Sequence, residues 1–167
     1  MNANEVIANA GLVKMGKAYG DYTALHPNDD VNRSQSTNDV YPTAIRLAAM
    51  TKAKPLVASM HRLVDAFAAK AVEFDDVMKV GRTQLQDAVP MSLGAEFRSF
   101  ATTIREDIDR IADLSKLLTE VNLGGTAIGT RINAPDGYGP SAVAHLCEIS
   151  GYDLSAASDL IEASSDL

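Results

Sequence analysis

Apolar residues recur every three or four positions between residues 92 and 121. The set comprises Leu93, Phe97, Phe100, Ile104, Ile108, Ile111, Leu114, Leu117, Leu118 and Val121. This spacing places them on one face of an α-helix, with charged side chains on the other faces. Ser92 is a suitable N-cap, and the pair Gly124-Gly125 a suitable stop. The pattern therefore predicts one helix of about 30 residues.

A second long helical pattern covers residues 39–72, where Pro55 should bend or split the helix. Shorter helices are predicted for residues 4–16, 141–150 and from Ser158 onward. Residues 74–86 alternate and predict an extended loop, with a little strand pairing to residues 126–130. The predicted fold is all-α, a long-helix bundle with short extended loops.

The predicted long helices are large relative to the chain. A 30-residue helix is about 45 Å long, whereas a compact globule of this chain length is roughly 40 Å across. We therefore expect the outer apolar faces of these helices to pack against other chains. An elongated monomeric bundle is the alternative.

Composition narrows the functional classes. The 167 residues are 46% apolar and 22% charged, which is typical of globular proteins. No run approaches the roughly 20 apolar residues of a membrane span. The net charge of -7 disfavours nucleic acids and anionic membranes as partners. The single cysteine, Cys147, lies in an amphipathic pattern typical of a buried structural thiol.

Small polar residues mark the start of the second long helix. Ser36, Thr37, Asn38 and Asp39 are residue types favoured at an N-cap, and Pro42 follows in the first turn. The unpaired amides and the positive end of the helix dipole favour an anion there. A small dicarboxylate fits this description. A capped helix whose polar residues satisfy only its own amides is the alternative.

Four segments, residues 1–9, 26–43, 81–90 and 122–130, resemble in this order the sequence blocks of the aspartase/fumarase (class II fumarate lyase) superfamily. Members of that family are much longer, and their third signature, two serines followed by a Met-Pro-x-Lys-x-Asn pattern, occurs nowhere in this sequence. In the family that loop carries the serine base and the lysine and asparagine that hold the α-carboxylate. The resemblance implies an internal fragment of one partial domain, without the N-terminal domain start, the third signature loop, the C-terminal domain or a catalytic base.

The resemblance also implies site residues. Ser36 and Thr37 would bind the β-carboxylate of the substrate, and Asn38, Thr83 and Gln84 would contact its amino group. A secondary anion site would involve His26, Asn28 and Asp29. No metal site is predicted, because the spacing of Asp29, Asp30 and Asp39 fits no ligand pattern and turn residues or caps are the simpler interpretation.

Gln84 and Thr37 favour the aspartase branch, which releases ammonia from L-aspartate to give fumarate. Fumarases carry His at the position of Gln84 and tend to carry Ser at that of Thr37. Water addition benefits from an imidazole, whereas a departing ammonium group needs only neutral acceptors. Class II fumarase is the alternative enzyme, and a non-catalytic helical oligomerisation fragment is the alternative of another class.

Arg131 departs from the small residue expected after Thr130.

The resemblance has consequences for cofactors and partners. It implies no organic cofactor and Mg²⁺ as the candidate activator. It further implies L-aspartate and fumarate as ligands, a homotetramer with a central bundle of helices, and a cytoplasmic location.

Overall fold

The computed structural model describes residues 2–165, which form two compact units. The first unit contains residues 2–46 and 119–165, and the second contains residues 47–118. Five α-helices account for most of the ordered backbone: α1 Asn2–Lys14, α2 Thr37–Glu73, α3 Leu93–Leu117, α4 Tyr138–Ser150 and α5 Glu162–Ser165. The predicted all-α fold is confirmed.

Four short strands and one π-helical turn complete the described elements. The strands are β1 Met78–Thr83, β2 Gln86–Ser92, β3 Glu120–Val121 and β4 Ser155–Ala156, and the turn is Pro27–Val31. Within residues 2–165, no helix combines the length and the apolar character that crossing a membrane requires.

In the second unit, α2 and α3 pack through a common apolar core. Val64, Ala101 and Ile108 are buried, with Val57, Met60, Phe67 and Ile104 partly buried against them. Aromatic rings extend this contact: Phe67 lies 5.7 Å from Phe100, and Phe74 lies 5.6 Å from Phe97. These distances are typical of stabilising aromatic pairs. The apolar periodicity of both helices thus has the predicted structural role.

Helix α2 continues through Pro55 without interruption, so the predicted split does not occur. Pro55 removes one backbone donor, which is a local loss in a helix of 37 residues. Beyond Pro55, the side chains of Val57, Met60 and Val64 pack in the core with α3. This packing stabilises the helical turns that follow Pro55.

Residues 78–92 form a β-hairpin, and the predicted strand pairing to residues 126–130 is wrong. β1 pairs antiparallel with β2, from Met78 opposite Ser92 to Thr83 opposite Gln86. The two loop residues, Gln84 and Leu85, have φ of 51° and 60°, as a type I′ turn requires. A two-residue turn brings the adjacent segments together at little entropic cost, so local pairing prevails over a distant partner.

The predicted ends of two helices need correction. Ser92 caps α3 as expected, with its Oγ accepting a hydrogen bond from Ala95 N at 3.0 Å, but the helix ends at Leu117 and not at Val121. Glu120 and Val121 instead pair in parallel with Ser155 and Ala156. The last helix begins at Glu162, not Ser158.

Candidate functional site

The start of α2 is held by a reciprocal pair of hydrogen bonds. Ser36 Oγ accepts a bond from Asn38 N at 3.2 Å, and Asp39 Oδ1 accepts one from Ser36 N at 2.9 Å. This is the arrangement of a capping box, with Ser36 as the N-cap and Asp39 in the first turn. The predicted helix start is confirmed. Thr37 is exposed, and its hydroxyl makes no hydrogen bond within residues 2–165.

Asp39 also bonds to the glycine-rich segment of residues 122–130. Its second oxygen, Oδ2, accepts hydrogen bonds from Gly124 N at 3.1 Å and from Thr126 N at 3.0 Å. Asp39 is 0% exposed. The carboxylate therefore joins two segments of the first unit that lie more than 80 residues apart in the sequence. Sequence reasoning identified Asp39 only as a cap, because no local pattern reveals these partners.

Asn38 bonds to the same segment through both its side chain and its backbone. Asn38 Nδ2 donates to Ala127 O at 2.7 Å, and Asn122 Nδ2 donates to Asn38 O at 2.9 Å. Asn122 is itself buried. The Asn38 amide thus has a structural partner, in contrast to the Thr37 hydroxyl.

A cavity of about 510 Å³ lies between the start of α2, the π-helical turn and the glycine-rich segment. Its lining consists of amide, hydroxyl and apolar side chains: Asn28, Asn32, Ser34, Gln35, Ser36, Thr126, Ala127, Ile128, Thr130, Ile132 and Asn133. None of these described residues is titratable. The cavity can therefore offer hydrogen bonds to an anion, but its own lining supplies no general base.

The cavity wall contains unusual backbone. Three lining residues, Ser34, Thr126 and Asn133, have φ of 61°, 62° and 67°. The buried hydroxyl of Thr126 has no hydrogen-bond partner among the residues that the structure describes. A buried unsatisfied hydroxyl costs about 1 to 3 kcal/mol, and strained backbone is concentrated at functional sites. Sequence reasoning did not single out Thr126, although it lies in one of the four recognised segments.

Thr83 and Gln84 lie at the tip of the β1–β2 hairpin, in the second unit. Both side chains are exposed, as predicted for a turn. Gln84 occupies the first left-handed position of that turn. Their contact with a substrate amino group stays a prediction.

His26, Asn28 and Asp29 lie together at the start of the π-helical turn. His26 Nδ1 accepts hydrogen bonds from the backbone N of Asn28 at 3.2 Å and of Asp29 at 3.1 Å. Asn28 Nδ2 donates to Asp29 Oδ1 at 3.0 Å. An anion bound here would compete with His26 for the two amides. The secondary anion site therefore stays a prediction.

The metal ligands considered from sequence do not converge. Among residues 2–165, no three His, Cys, Asp or Glu side chains form a cluster that could hold a metal ion. Asp30 Oδ2 accepts from His26 N at 2.7 Å, and both oxygens of Asp39 bond to amides. Activation by Mg²⁺ therefore stays a prediction.

Arg131 occupies a left-handed position, with φ of 60°. It lies between Thr130 and Ile132, which both line the cavity. A non-glycine residue costs about 1 to 2 kcal/mol in this conformation. Among small residues, glycine is the one that adopts this φ without strain. Arg131 therefore occupies its place in the loop with a strained backbone.

We expect Arg131→Gly to raise the free energy of unfolding by about 0.5 to 1 kcal/mol, because relief of the strain exceeds the entropy cost of glycine. Urea denaturation measures this change. Arg131→Ala is the matched control, since it removes the guanidinium but keeps the strained φ. A stability gain in Arg131→Ala equal to that in Arg131→Gly would show that strain is not the cause.

Comparison with known proteins identifies the family of the chain. A family model described as "Lyase" matches residues 1–167. The chain belongs to this lyase family. It is 62% identical to the aspartate ammonia-lyase of Pseudomonas aeruginosa, over 100% of the chain and 35% of the relative, and 53% identical to that of Escherichia coli K12, over 99% and 35%. The chain thus spans about a third of the length of these curated relatives.

Solved structures of lyases share the fold. A fumarate lyase:delta crystallin from Brucella melitensis bound to cobalt superposes with a TM-score of 0.89 and 58% identity, covering 98% of this chain and 36% of that one. A class II fumarase from Schistosoma mansoni gives a TM-score of 0.71 and 34% identity, covering 96% and 35%.

Proposed function

We propose that this chain supplies the β-carboxylate part of the substrate site of an aspartate ammonia-lyase, which eliminates ammonia from L-aspartate to give fumarate. The observation that carries the proposal is the cavity at the capped start of α2, whose lining combines neutral polar and apolar side chains and contains no carboxylate. Neutral donors and a helix N-terminus suit a small carboxylate. The named relatives at 53–62% identity support the choice of reaction.

In the proposed reaction, Ser36 and Thr37 stabilise the charge on the β-carboxylate and do not remove the proton. Removal of the weakly acidic Cβ proton places extra negative charge on the β-carboxylate, so the barrier falls when preorganised donors stabilise that charge. Ser36 lines the cavity. Thr37, the next residue, is not among the lining residues, but it is exposed and its hydroxyl has no hydrogen-bond partner within residues 2–165. The base and the α-carboxylate ligands belong, in this proposal, to parts of the protein outside these 167 residues.

Gln84 supports ammonia elimination over water addition. Its neutral amide can contact an ammonium group but cannot deprotonate water, as an imidazole could. The position of Gln84, exposed at the hairpin tip, leaves its side chain free for such a contact. We propose that Thr83 and Gln84 contact the amino group, that Asn38 is a further contact of this group, and that no organic cofactor takes part. We also propose a cytoplasmic location.

A chimera tests the reaction. These 167 residues would replace the matching segment of the Pseudomonas aeruginosa aspartate ammonia-lyase, to which they are 62% identical. We expect fumarate, followed by its ultraviolet absorbance, to form from L-aspartate and not from L-malate. The chain alone should form none, because its cavity contains no base. Formation of fumarate from L-malate but not from L-aspartate would support the fumarase alternative and contradict the proposal.

We propose that the protein is a homotetramer, and that exposed helix faces mediate its assembly. On α2, Leu56 and Val72 are 51% and 80% exposed, and on α3, Leu114 and Leu117 are 54% and 70% exposed. Large apolar side chains on long helices are typical of an interface with another chain.

The isolated chain should therefore self-associate at micromolar concentration. Light scattering should give a mass that is a multiple of 17.7 kDa. The double variant Leu114→Glu and Leu117→Glu should shift the mass towards the monomer, because charges at an apolar interface are costly to bury. A stable monomer for the unsubstituted chain would contradict the expectation and favour the elongated monomeric bundle.

A further inference from the structure

Asp39 has a fully buried carboxyl group. It forms no ion pair among residues 2–165, and its side chain is fully buried. Burial of an unpaired charge is unfavourable unless hydrogen bonds offset the lost hydration. Three backbone amides, those of Ser36, Gly124 and Thr126, provide these bonds at 2.9 to 3.1 Å.

Two of the three amides belong to residues that line the cavity, and the third, that of Gly124, belongs to the same glycine-rich segment as Thr126. Ser36 and Thr126 both line the cavity, on the α2 wall and on the glycine-rich wall respectively. The two oxygens of Asp39 accept hydrogen bonds from different sides of the cavity. Oδ1 accepts from Ser36 N on the α2 side, whereas Oδ2 accepts from Gly124 N and Thr126 N of the glycine-rich segment. The carboxylate therefore helps to set the separation of the two walls, together with the hydrogen bonds that join Asn38 to Ala127 and Asn122.

We infer that Asp39 is a positioning residue, which holds the α2 start and the glycine-rich segment in the geometry that the reaction needs. This inference rests on the function proposed above. Asp39 does not contact the substrate in this account. It acts through Ser36 and Thr126, two residues that line the cavity.

The charge of Asp39 by itself would oppose the reaction. A carboxylate close to a second carboxylate that gains charge raises the energy of the transition state. Its field is felt nearby, since burial first, and then the charge of Asp39, raise the pKa of Tyr138. The benefit of Asp39 must therefore come from geometry.

Asp39→Asn in the active chimera tests this inference. The side chain keeps its size, but an amide has one acceptor oxygen, so its NH₂ group would face a backbone N–H on one wall. We expect kcat for L-aspartate to fall about ten- to a hundred-fold, as a small misplacement of catalytic groups can cause. KM should change less than about threefold, because donors to the developing charge act mainly on the transition state.

A separate variant controls for loss of stability. Leu12→Ala removes a fully buried side chain of the same unit, away from the cavity lining. It should lower Tm at least as much as Asp39→Asn does, while kcat measured well below Tm stays unchanged. A fall in kcat in Asp39→Asn alone supports positioning. An unchanged kcat in Asp39→Asn, with a lower Tm, would overturn the inference and leave Asp39 a structural residue.

Asp39→Ser provides a second variant if the asparagine variant does not fold. Serine places no NH₂ group against the amides, but its side chain is one bond shorter and leaves Gly124 N and Thr126 N without their acceptor. We expect kcat to fall again with little change in KM. Failure of both variants to fold would overturn the inference, because Asp39 would then belong to the folding core. An inactive chimera without any substitution would overturn the proposed function itself. That result is distinguishable from failure of the positioning inference, which requires an active chimera.

Discussion

Thr37→Ala should lower kcat/KM for L-aspartate roughly ten- to a hundred-fold in the active chimera. The substitution removes a hydroxyl that is proposed to bond to a carboxylate, and a hydrogen bond to a charged group contributes about 1.5 to 3 kcal/mol. Tm should be preserved, since this hydroxyl has no partner within residues 2–165 and Ser36 provides the helix cap. Steady-state kinetics and a thermal melt measure the two quantities.

Two further variants make this experiment specific. Thr51→Ala, on an exposed turn of the same helix, should leave kcat/KM unchanged, because the Thr51 hydroxyl bonds to Leu47 O of its own helix. Asn38→Ala should lower both kcat/KM and Tm, since the Asn38 amide holds Ala127 O. Full activity in Thr37→Ala with a lowered Tm would show that these residues only cap the helix.

Gly129→Ala should reduce the free energy of unfolding by about 2 to 5 kcal/mol, because two penalties combine. Gly129 has φ of 86°, where a side chain is strained. An added Cβ would also meet backbone, with Leu160 O, Leu160 C and Ile161 N all within 2.5 Å. Neither neighbour is the movable end of a side chain. Denaturant unfolding measures the loss.

Gly137→Ala is the matched control for Gly129→Ala. Gly137 has a similar φ of 81°, but an added Cβ would meet nothing within 4 Å. It should therefore incur only the conformational penalty of about 1 to 2 kcal/mol. Equal losses in the two variants would mean that the segment near Gly129 can move away from Leu160, and that the close approach is not a constraint.

Much of the fold follows from local patterns in the sequence. The apolar spacing of α3 and its Ser92 cap depend on residues within a few positions of one another, and both predictions are correct. The cap at Ser36 and Asp39 is equally local. By contrast, the end of α3 depends on the pairing of Glu120 and Val121 with Ser155 and Ala156, which no periodicity near residue 120 reveals.

The candidate site follows the same division. The small polar residues at the start of α2 predicted an anion site, because capping and helix-dipole effects are local. The partners of Asp39 lie 85 and 87 positions away, so their contribution appears only in the folded chain. The unpartnered hydroxyl of Thr126 likewise depends on burial by distant residues. Family resemblance pointed to the segment but not to these contacts.

The most direct test is a crystal structure of the active chimera with fumarate bound. We predict a carboxylate oxygen within about 2.5 to 3.2 Å of Ser36 Oγ or Thr37 Oγ1, in the cavity lined by Ser36 and Thr126. A fumarate bound elsewhere, with this cavity free of carboxylate, would contradict the assignment of the start of α2 as the substrate carboxylate site.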